Sequence, residues 1–244
     1  MDHSSTSKAL IYHQYARLYD CLHSDYNYAG QVDQLLALLA AYEIKEGAHI
    51  LEAACGTGNY LRYFQDHYTV SGFDNSPEML ALAKKKVLNG QFWLDDLQSF
   101  SSPAQPDAIL CLCSAIAYLP DEQALIKTLK RMNTVISSGG VLILRPWLTP
   151  AQAKPGLRWQ DRYEDEALRV HRHAFLERRE HVSILDFHFS IHEQDKPPVK
   201  FVDRHELTLF SDDQIRHGLN NAGFTSQKVD APLFGQYLWV AHKH

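Results

Sequence analysis

The chain has 244 residues, 45% of them hydrophobic, and a formal net charge of −5. That length predicts one or two packed domains, and the acidic balance lacks the basic stripe of a general nucleic-acid surface. No apolar run approaches the ~20 residues of a spanning helix, so neither a nucleic-acid nor a membrane partner is expected. The segment Met1–Ser7 has neither the basic flank nor the apolar stretch of a secretory leader. Four cysteines in a chain this long make no disulfide framework, which predicts a reducing, cytoplasmic setting.

After a Tyr-rich leader, Gln31–Tyr42 spaces Val32, Leu35, Leu36 and Leu39 as one face of a helix. His49–Ala53 then reads as a buried strand that breaks into Cys55-Gly56-Thr57-Gly58 and opens a helix over Tyr60–His67. Thr69–Phe73 is the second strand, with Asp74 at its carboxyl end. Ser76-Pro77-Glu78 starts a helix, Ser at the cap and Pro at the first helical position. That helix runs to about Lys86, and Lys84-Lys85-Lys86 reads as its solvated end. Gln91–Leu94 is the third strand, delivering Asp95 and Asp96, and Ala108–Cys113 is the fourth. Cys111 and Cys113 share a strand face there and read as core thiols rather than a metal pair. A helix over Asp121–Val135 and a strand over Val141–Arg145, stopped by Pro146, complete an alternation that implies a parallel sheet.

From about Thr149 the pattern changes. Ala151–Gly156 is a loop; Leu168–Arg178, His181–Ile191 and Lys200–Phe210 alternate as antiparallel strands of a three- or four-stranded insert. Ser211 caps a last helix to about Ala222, and Thr225–Val229 with Gln236–His242 close a seven-stranded sheet whose last pair is antiparallel. The fold class is α/β, doubly wound and Rossmann-like, with an antiparallel β insert. Lacking a core of its own, the insert must pack on the nucleotide domain, cover its mouth or pair with a second subunit.

The strand ends point to chemistry. In an open parallel sheet the ligand crevice lies outside the carboxyl ends of the strands. Gly56 and Gly58 let the backbone approach a ligand, and Asp74 suits the two hydroxyls of a ribose. A dinucleotide fingerprint needs a third glycine, where this chain has Leu61. Glu52 would repel a pyrophosphate and suits a cationic amino-acid moiety. The run Leu51-Glu52-Ala53-Ala54-Cys55-Gly56-Thr57-Gly58 resembles motif I of class I S-adenosylmethionine (SAM) methyltransferases. The resemblance implies SAM as cofactor, with the loop beneath its methionine part, Asp74 on the ribose and the acid after strand three on the adenine. The cofactor set is then Glu52, Ala54, Cys55, Gly56, Gly58, Asp74, Asn75, Met79, Asp96, Leu97 and Cys113.

More of the chain is similar to N,N-dimethyltransferases acting on dTDP-linked 3-amino-sugars of the desosamine and mycaminose type. The matching residues are Leu18-Tyr19-Asp20, Tyr28-Ala29-Gly30-Gln31, Cys113-Ser114-Ala115-Ile116-Ala117-Tyr118-Leu119, Arg145-Pro146-Trp147 and Arg204-His205-Glu206-Leu207-Thr208-Leu209-Phe210. Tyr118 stands where those enzymes can carry a His, Gln31 where the resemblance has an acid, and Gln236 where it has an Arg. The resemblance implies residues 1–43 as a lid and first helix, 44–150 as the SAM-binding core, 151–210 as the insert and 211–244 as the completing helix and strands. It also implies a small-molecule substrate and a homodimer.

Methyl transfer from a sulfonium is an in-line displacement, in which positioning supplies roughly 7–11 kcal/mol. Tyr118, His205 and Tyr19 are the catalytic candidates, with Tyr12, Tyr28, Trp147 and Gln236 as substrate contacts. A small-molecule O-methyltransferase is the alternative; it would need a base, which Tyr118 with His205 could supply. A non-catalytic SAM-binding dimer is a further alternative. Among the 14 histidines, His171/His173 and His188/His192 share strand faces. No Cys or paired carboxylate accompanies them at zinc-site spacing, and no metal is expected.

Overall fold

The computed structural model describes residues 9–244; the expectation for Met1–Ser7 lies outside them. A seven-stranded sheet forms from β1 (His49–Ala53), β2 (Thr69–Asp74), β3 (Gln91–Leu94), β4 (Ala108–Cys111), β5 (Val141–Leu144), β10 (Phe224–Ala231) and β11 (Gln236–Lys243). Their order is β10-β11-β5-β4-β1-β2-β3. All pair in parallel except β11, which runs antiparallel to both β5 and β10. Strand order reverses between β1 and β4, so the crevice opens outside their carboxyl ends.

Both faces of the sheet are covered, which is why β4 and β5 are buried at every position. One layer packs Val32, Leu35 and Leu39 of α2 (Tyr28–Ala41) on Ile50, Val70, Leu110 and Ile143. The other packs Leu125, Leu129 and Met132 of α5 (Glu122–Val135) and Ile215 and Leu219 of α6 (Asp212–Asn221) on Leu51, Ile109 and Trp239. Helix starts follow the local chemistry. Ser76 accepts from Met79 N ahead of α4 (Pro77–Lys86), Asp121 from Ala124 N, and Ser211 with Gln214 closes a full capping box. Asn27 caps α2 through Gly30 N, so that helix begins three residues before Gln31.

Three expectations are corrected here. The helix after the glycine turn, α3, spans only Leu61–Phe64, because His67 and Tyr68 turn back onto Phe64 O to reach β2. Strand β4 stops at Cys111, since Cys113 and Ser114 adopt left-handed φ of 51° and 62°. Cys113 therefore leaves the core and stands exposed at the crevice, while Cys111 stays buried. Gly72 in β2 has a packing reason: a Cβ there would lie 2.8 Å from Cys55 Sγ, so the loop can rest on the strand only over a glycine.

The insert is a four-stranded antiparallel sheet of β6 (Arg158–Glu164), β7 (Leu168–Arg179), β8 (Val182–Glu193) and β9 (Val199–Thr208). β6 follows the Ala151–Gly156 loop and was not delimited by the sequence pattern; its charged residues alternate with Trp159 and Tyr163. The inner face packs in two places. Val170, Phe189 and Ile191 bury Ile11, Leu18 and Leu22 of the leader. Leu176, Leu185 and Leu207 pack against Ala117 and Trp147, just beyond β4 and β5. The insert thus covers the mouth of the crevice. Among the described residues no helix is long and apolar enough to cross a membrane.

Candidate active site

The glycine loop supplies a cradle. Ala54, Gly56 and Gly58 take left-handed φ of 55°, 53° and 73°, and a Cβ at Gly56 would meet nothing within 4 Å. Asp74 fixes this loop: Oδ2 accepts from Gly56 N at 2.8 Å and Oδ1 from Ser76 N at 2.9 Å. A carboxylate has about four lone-pair directions, which leaves two beyond these amides. Burial pushes the Asp74 carboxyl up against the pull of these amides. Behind it Glu52 is buried, and its Oε2 has no hydrogen-bond partner. Burial, and then the neighbouring Asp74 charge, raise its carboxyl well above the usual range. A buried, unpartnered acid beside an open glycine cradle fits the cationic amino-acid end of SAM.

The other expected cofactor contacts divide. Met79 is buried at the start of α4, and Asn75 is exposed beside Asp74. Asp96 is exposed and accepts from Gln98 N, and Leu97 packs at the edge of the core beneath it. Cys55 is buried under Gly56.

A cavity of about 220 Å³ lies beyond β4 and β5. The leader contributes Tyr12 and Tyr19, the β4 end Cys113 and Tyr118, and the β5 end Arg145 and Trp147. The insert adds Trp159, Asp161, Arg172, Phe187 and His205. At its wall Tyr12 Oη, Tyr118 Oη and His205 Nδ1 form a continuous chain with steps of 2.9 and 2.6 Å. Burial pushes the Tyr12 phenol up to about 12 and the Tyr118 phenol well up. Both therefore stay neutral near pH 7 and can only pass a proton along; imidazole is the group suited to keep it. Trp147 Nε1 donates to Ser183 Oγ at 3.0 Å, which fixes the indole in the wall.

Two expected substrate contacts lie elsewhere. Tyr28 is buried behind the loop, its hydroxyl accepting from Asn59 Nδ2 and its ring edge-on to Tyr60. Helical phase turns it into the core. Gln236 donates to Pro146 O and does not line the cavity. Gln31 is also a core residue, accepting from Tyr60 Oη and donating to Leu233 O.

The leader is fastened over the crevice by contacts the sequence did not reveal. Asp20 accepts from Thr57 Oγ1, Asn59 Nδ2 and Lys86 Nζ at 2.6, 2.9 and 2.9 Å. Burial opposes ionisation of Asp20, but Lys86 and Thr57 hold its carboxyl below the usual range. Lys86 is thus a tether, not a solvated helix end, because α4 ends beside the glycine loop. Ser76 Oγ donates to Tyr12 O, and His13 pairs with Glu78 at 2.9 Å. Arg145, Arg172 and Asp161 are the charged cavity residues missed; Arg172 pairs with Asp161 at 2.7 Å, and only the insert's folding brings it there.

The seven-stranded sheet and the glycine cradle, with Asp74 and buried Glu52 beside it, make a site of the kind a SAM-dependent methyltransferase uses. Residues 50–140 match the family described as "Methyltransferase domain". A dTDP-3-amino-3,6-dideoxy-alpha-D-glucopyranose N,N-dimethyltransferase of Streptomyces fradiae is 28% identical over 228 residues, 92% of this chain and 89% of the relative. Streptomyces venezuelae DesVI superimposes with a TM-score of 0.87 at 23% identity, covering 94% and 98% of the two chains. SAM-bound CalS10, an amino pentose methyltransferase of Micromonospora echinaspora, superimposes at 0.83 and 23%, covering all of both.

Proposed function

We propose that this enzyme N-methylates the amino group of a nucleotide-linked amino sugar, as a cytoplasmic homodimer. The observation that carries the reading is the cavity walled by Tyr12, Tyr118, His205 and Trp147 beyond β4 and β5; the sugar-modifying relatives support it. A volume of about 220 Å³ suits one sugar ring and is below the ~300–1,000 Å³ of a whole-ligand pocket, so the nucleotide lies outside the cavity. SAM supplies an electrophilic methyl group. The chain's residues orient the amine, exclude water and take its proton through Tyr118 to His205. Incubation with SAM and a dTDP-3-amino sugar is expected to add methyl groups detectable by mass; unchanged sugar nucleotide would remove the substrate assignment.

An amine needs only positioning and a proton outlet, so Tyr118→Phe is expected to lower kcat by less than about tenfold, short of the ~10²–10⁴ of full acid–base catalysis. His205→Ala is expected to behave alike. A loss of three orders of magnitude in either would favour a hydroxyl acceptor, and normal rates in both would place the acceptor elsewhere.

The dimer is supported by the outer face of the insert. Phe175 and Val202 are exposed there beside His188, and β6 and β9 have one strand neighbour each, which invites pairing with another chain. Sedimentation is expected to give twice the chain mass; a monomer at micromolar concentration would refute it.

A further inference from the structure

Asp203 is a buried carboxylate that the reading above does not use. It stands on β9 two residues before His205, so both side chains share the inner face. Burying a carboxylate is costly unless partners satisfy it. Its partners come from two directions: Oδ1 accepts from Leu10 N at 2.9 Å and Oδ2 from Ile11 N at 2.8 Å, both in the turn Leu10–Tyr12. Oδ2 also lies 3.3 Å from His205 Nε2, a buried nitrogen that closes no hydrogen bond, so charge rather than a formed bond links the pair. Burial works against ionisation, yet His205 and the two amides hold the Asp203 carboxyl below the usual range.

Among the described residues Asp203 is the one ion-pair partner of His205. Tyr118 meets Nδ1, and the rings of Tyr12 and Phe187 stand edge-on to the imidazole. A negative oxygen beside Nε2 repels a lone pair and attracts a proton. With the proton on Nε2, Nδ1 is the acceptor and Tyr118 must donate to it. The Tyr118 oxygen is then free to accept from the cavity side, and the relay points away from the substrate. The opposite tautomer would make Nδ1 a donor and leave no acceptor at the end of the chain.

We propose that Asp203 is a positioning residue that couples leader closure to the tautomer of His205. The inference rests on the role of Tyr118 and His205 given above. The carboxylate that receives the amides of Leu10 and Ile11 also places its negative charge beside His205 Nε2 and favours the proton there, so the relay is set when the leader is docked. In turnover, the N–C bond would form as the sulfonium's C–S bond breaks, the demethylated donor leaving as a neutral thioether, and the nitrogen gives up one proton. That proton goes to Tyr118 Oη while the phenol's own proton moves to His205 Nδ1, and the imidazolium formed faces the Asp203 carboxylate. Tyr118 ends neutral, and His205 holds the one added charge until it loses the proton to solvent.

The test is Asp203→Asn in the full chain. Its amide is neutral and carries one acceptor oxygen, so it removes the charge beside Nε2 and cannot give each leader amide its own oxygen. Three results are expected: ¹⁵N resonances of the His205 ring showing proton density moved from Nε2 to Nδ1, faster hydrogen exchange at Leu10 and Ile11, and a kcat loss of less than about tenfold, no larger than that of His205→Ala and below the ~10²–10⁴ of complete proton-transfer catalysis. A ring that keeps its proton on Nε2, or unchanged exchange at both amides, would overturn the proposal. If Asp203→Asn does not fold, Leu10→Pro removes one leader amide at the first position of its helical turn, where Pro is tolerated. Faster exchange at Ile11 with shifted His205 resonances would support the coupling, and an unshifted imidazole would refute it. Neither spectroscopic readout needs an acceptor. Moved resonances with no methylated amino sugar would therefore remove the proposed substrate and leave the coupling standing.

Discussion

Asp74→Ala is expected to weaken SAM binding by about 1.5–3 kcal/mol, roughly ten- to a hundredfold, and to destabilise the ligand-free chain as well. The side chain holds the glycine loop and the start of α4 from one point, through Gly56 N and Ser76 N. Alanine leaves both amides without an acceptor and removes the carboxylate offered to the ribose. Asp74→Asn separates the effects, because its single oxygen can serve only one amide. Calorimetry with SAM and with its demethylated product measures the loss. Affinity equal to the wild type in Asp74→Ala would end the ribose assignment.

Glu52→Gln is expected to move affinity and stability in opposite directions. Burial and the Asp74 charge raise the Glu52 carboxyl well above the ordinary glutamate range. Between that range and its raised value the folded chain holds a proton that the unfolded chain has released, so stability falls as pH rises through this window. Glutamine removes the dependence and stabilises the free protein above the ordinary glutamate range. It also removes the anion that would face the ammonium group, at about 1.5–3 kcal/mol in SAM affinity. In the wild type, binding a cation beside Glu52 drives its proton off. Titrations in buffers of different ionisation enthalpy should therefore show proton release for the wild type and less for Glu52→Gln. Equal affinity in the two proteins would place the ammonium elsewhere.

What the sequence displayed was whatever its local chemistry dictates. Apolar runs ending at Ala53 and Asp74 marked the strand ends, and Ser76-Pro77 and Ser211 with Gln214 marked helix starts that form as read. The glycine loop was legible for the same reason: its residues are contiguous. The lining of the cavity was half legible. Tyr118 and Trp147 follow strands of the sheet and could be placed by topology, whereas Arg172 and Asp161 arrive by pairing of β6 with β7. No local pattern records that register. Tyr28 lies away from the cavity because α2 starts before Gln31: one turn ahead of Val32, it shares the buried face and packs on Tyr60. Asp203 was hidden by an ordinary setting, a charged residue in an alternating strand, and only the return of the leader onto β9 gives it partners.

The left-handed residues of the crevice have a consequence for the cohesion of the whole chain. Ala54, Cys113 and Ser114 hold φ of 55°, 51° and 62° without being glycines, and such conformations cost of order 1–3 kcal/mol each. They stand at the ends of β1 and β4, where the cofactor is expected, while Glu43, Glu180 and Asp195, the other such residues described, lie in turns elsewhere. A ligand that binds only the folded chain adds about 2.7 kcal/mol at a hundredfold excess over its Kd, enough to offset one of them. By mass action the cofactor is then a component of the fold as well as a reactant. Where SAM is scarce the chain is not only idle but nearer to unfolding, and its lifetime follows the supply of its own methyl donor.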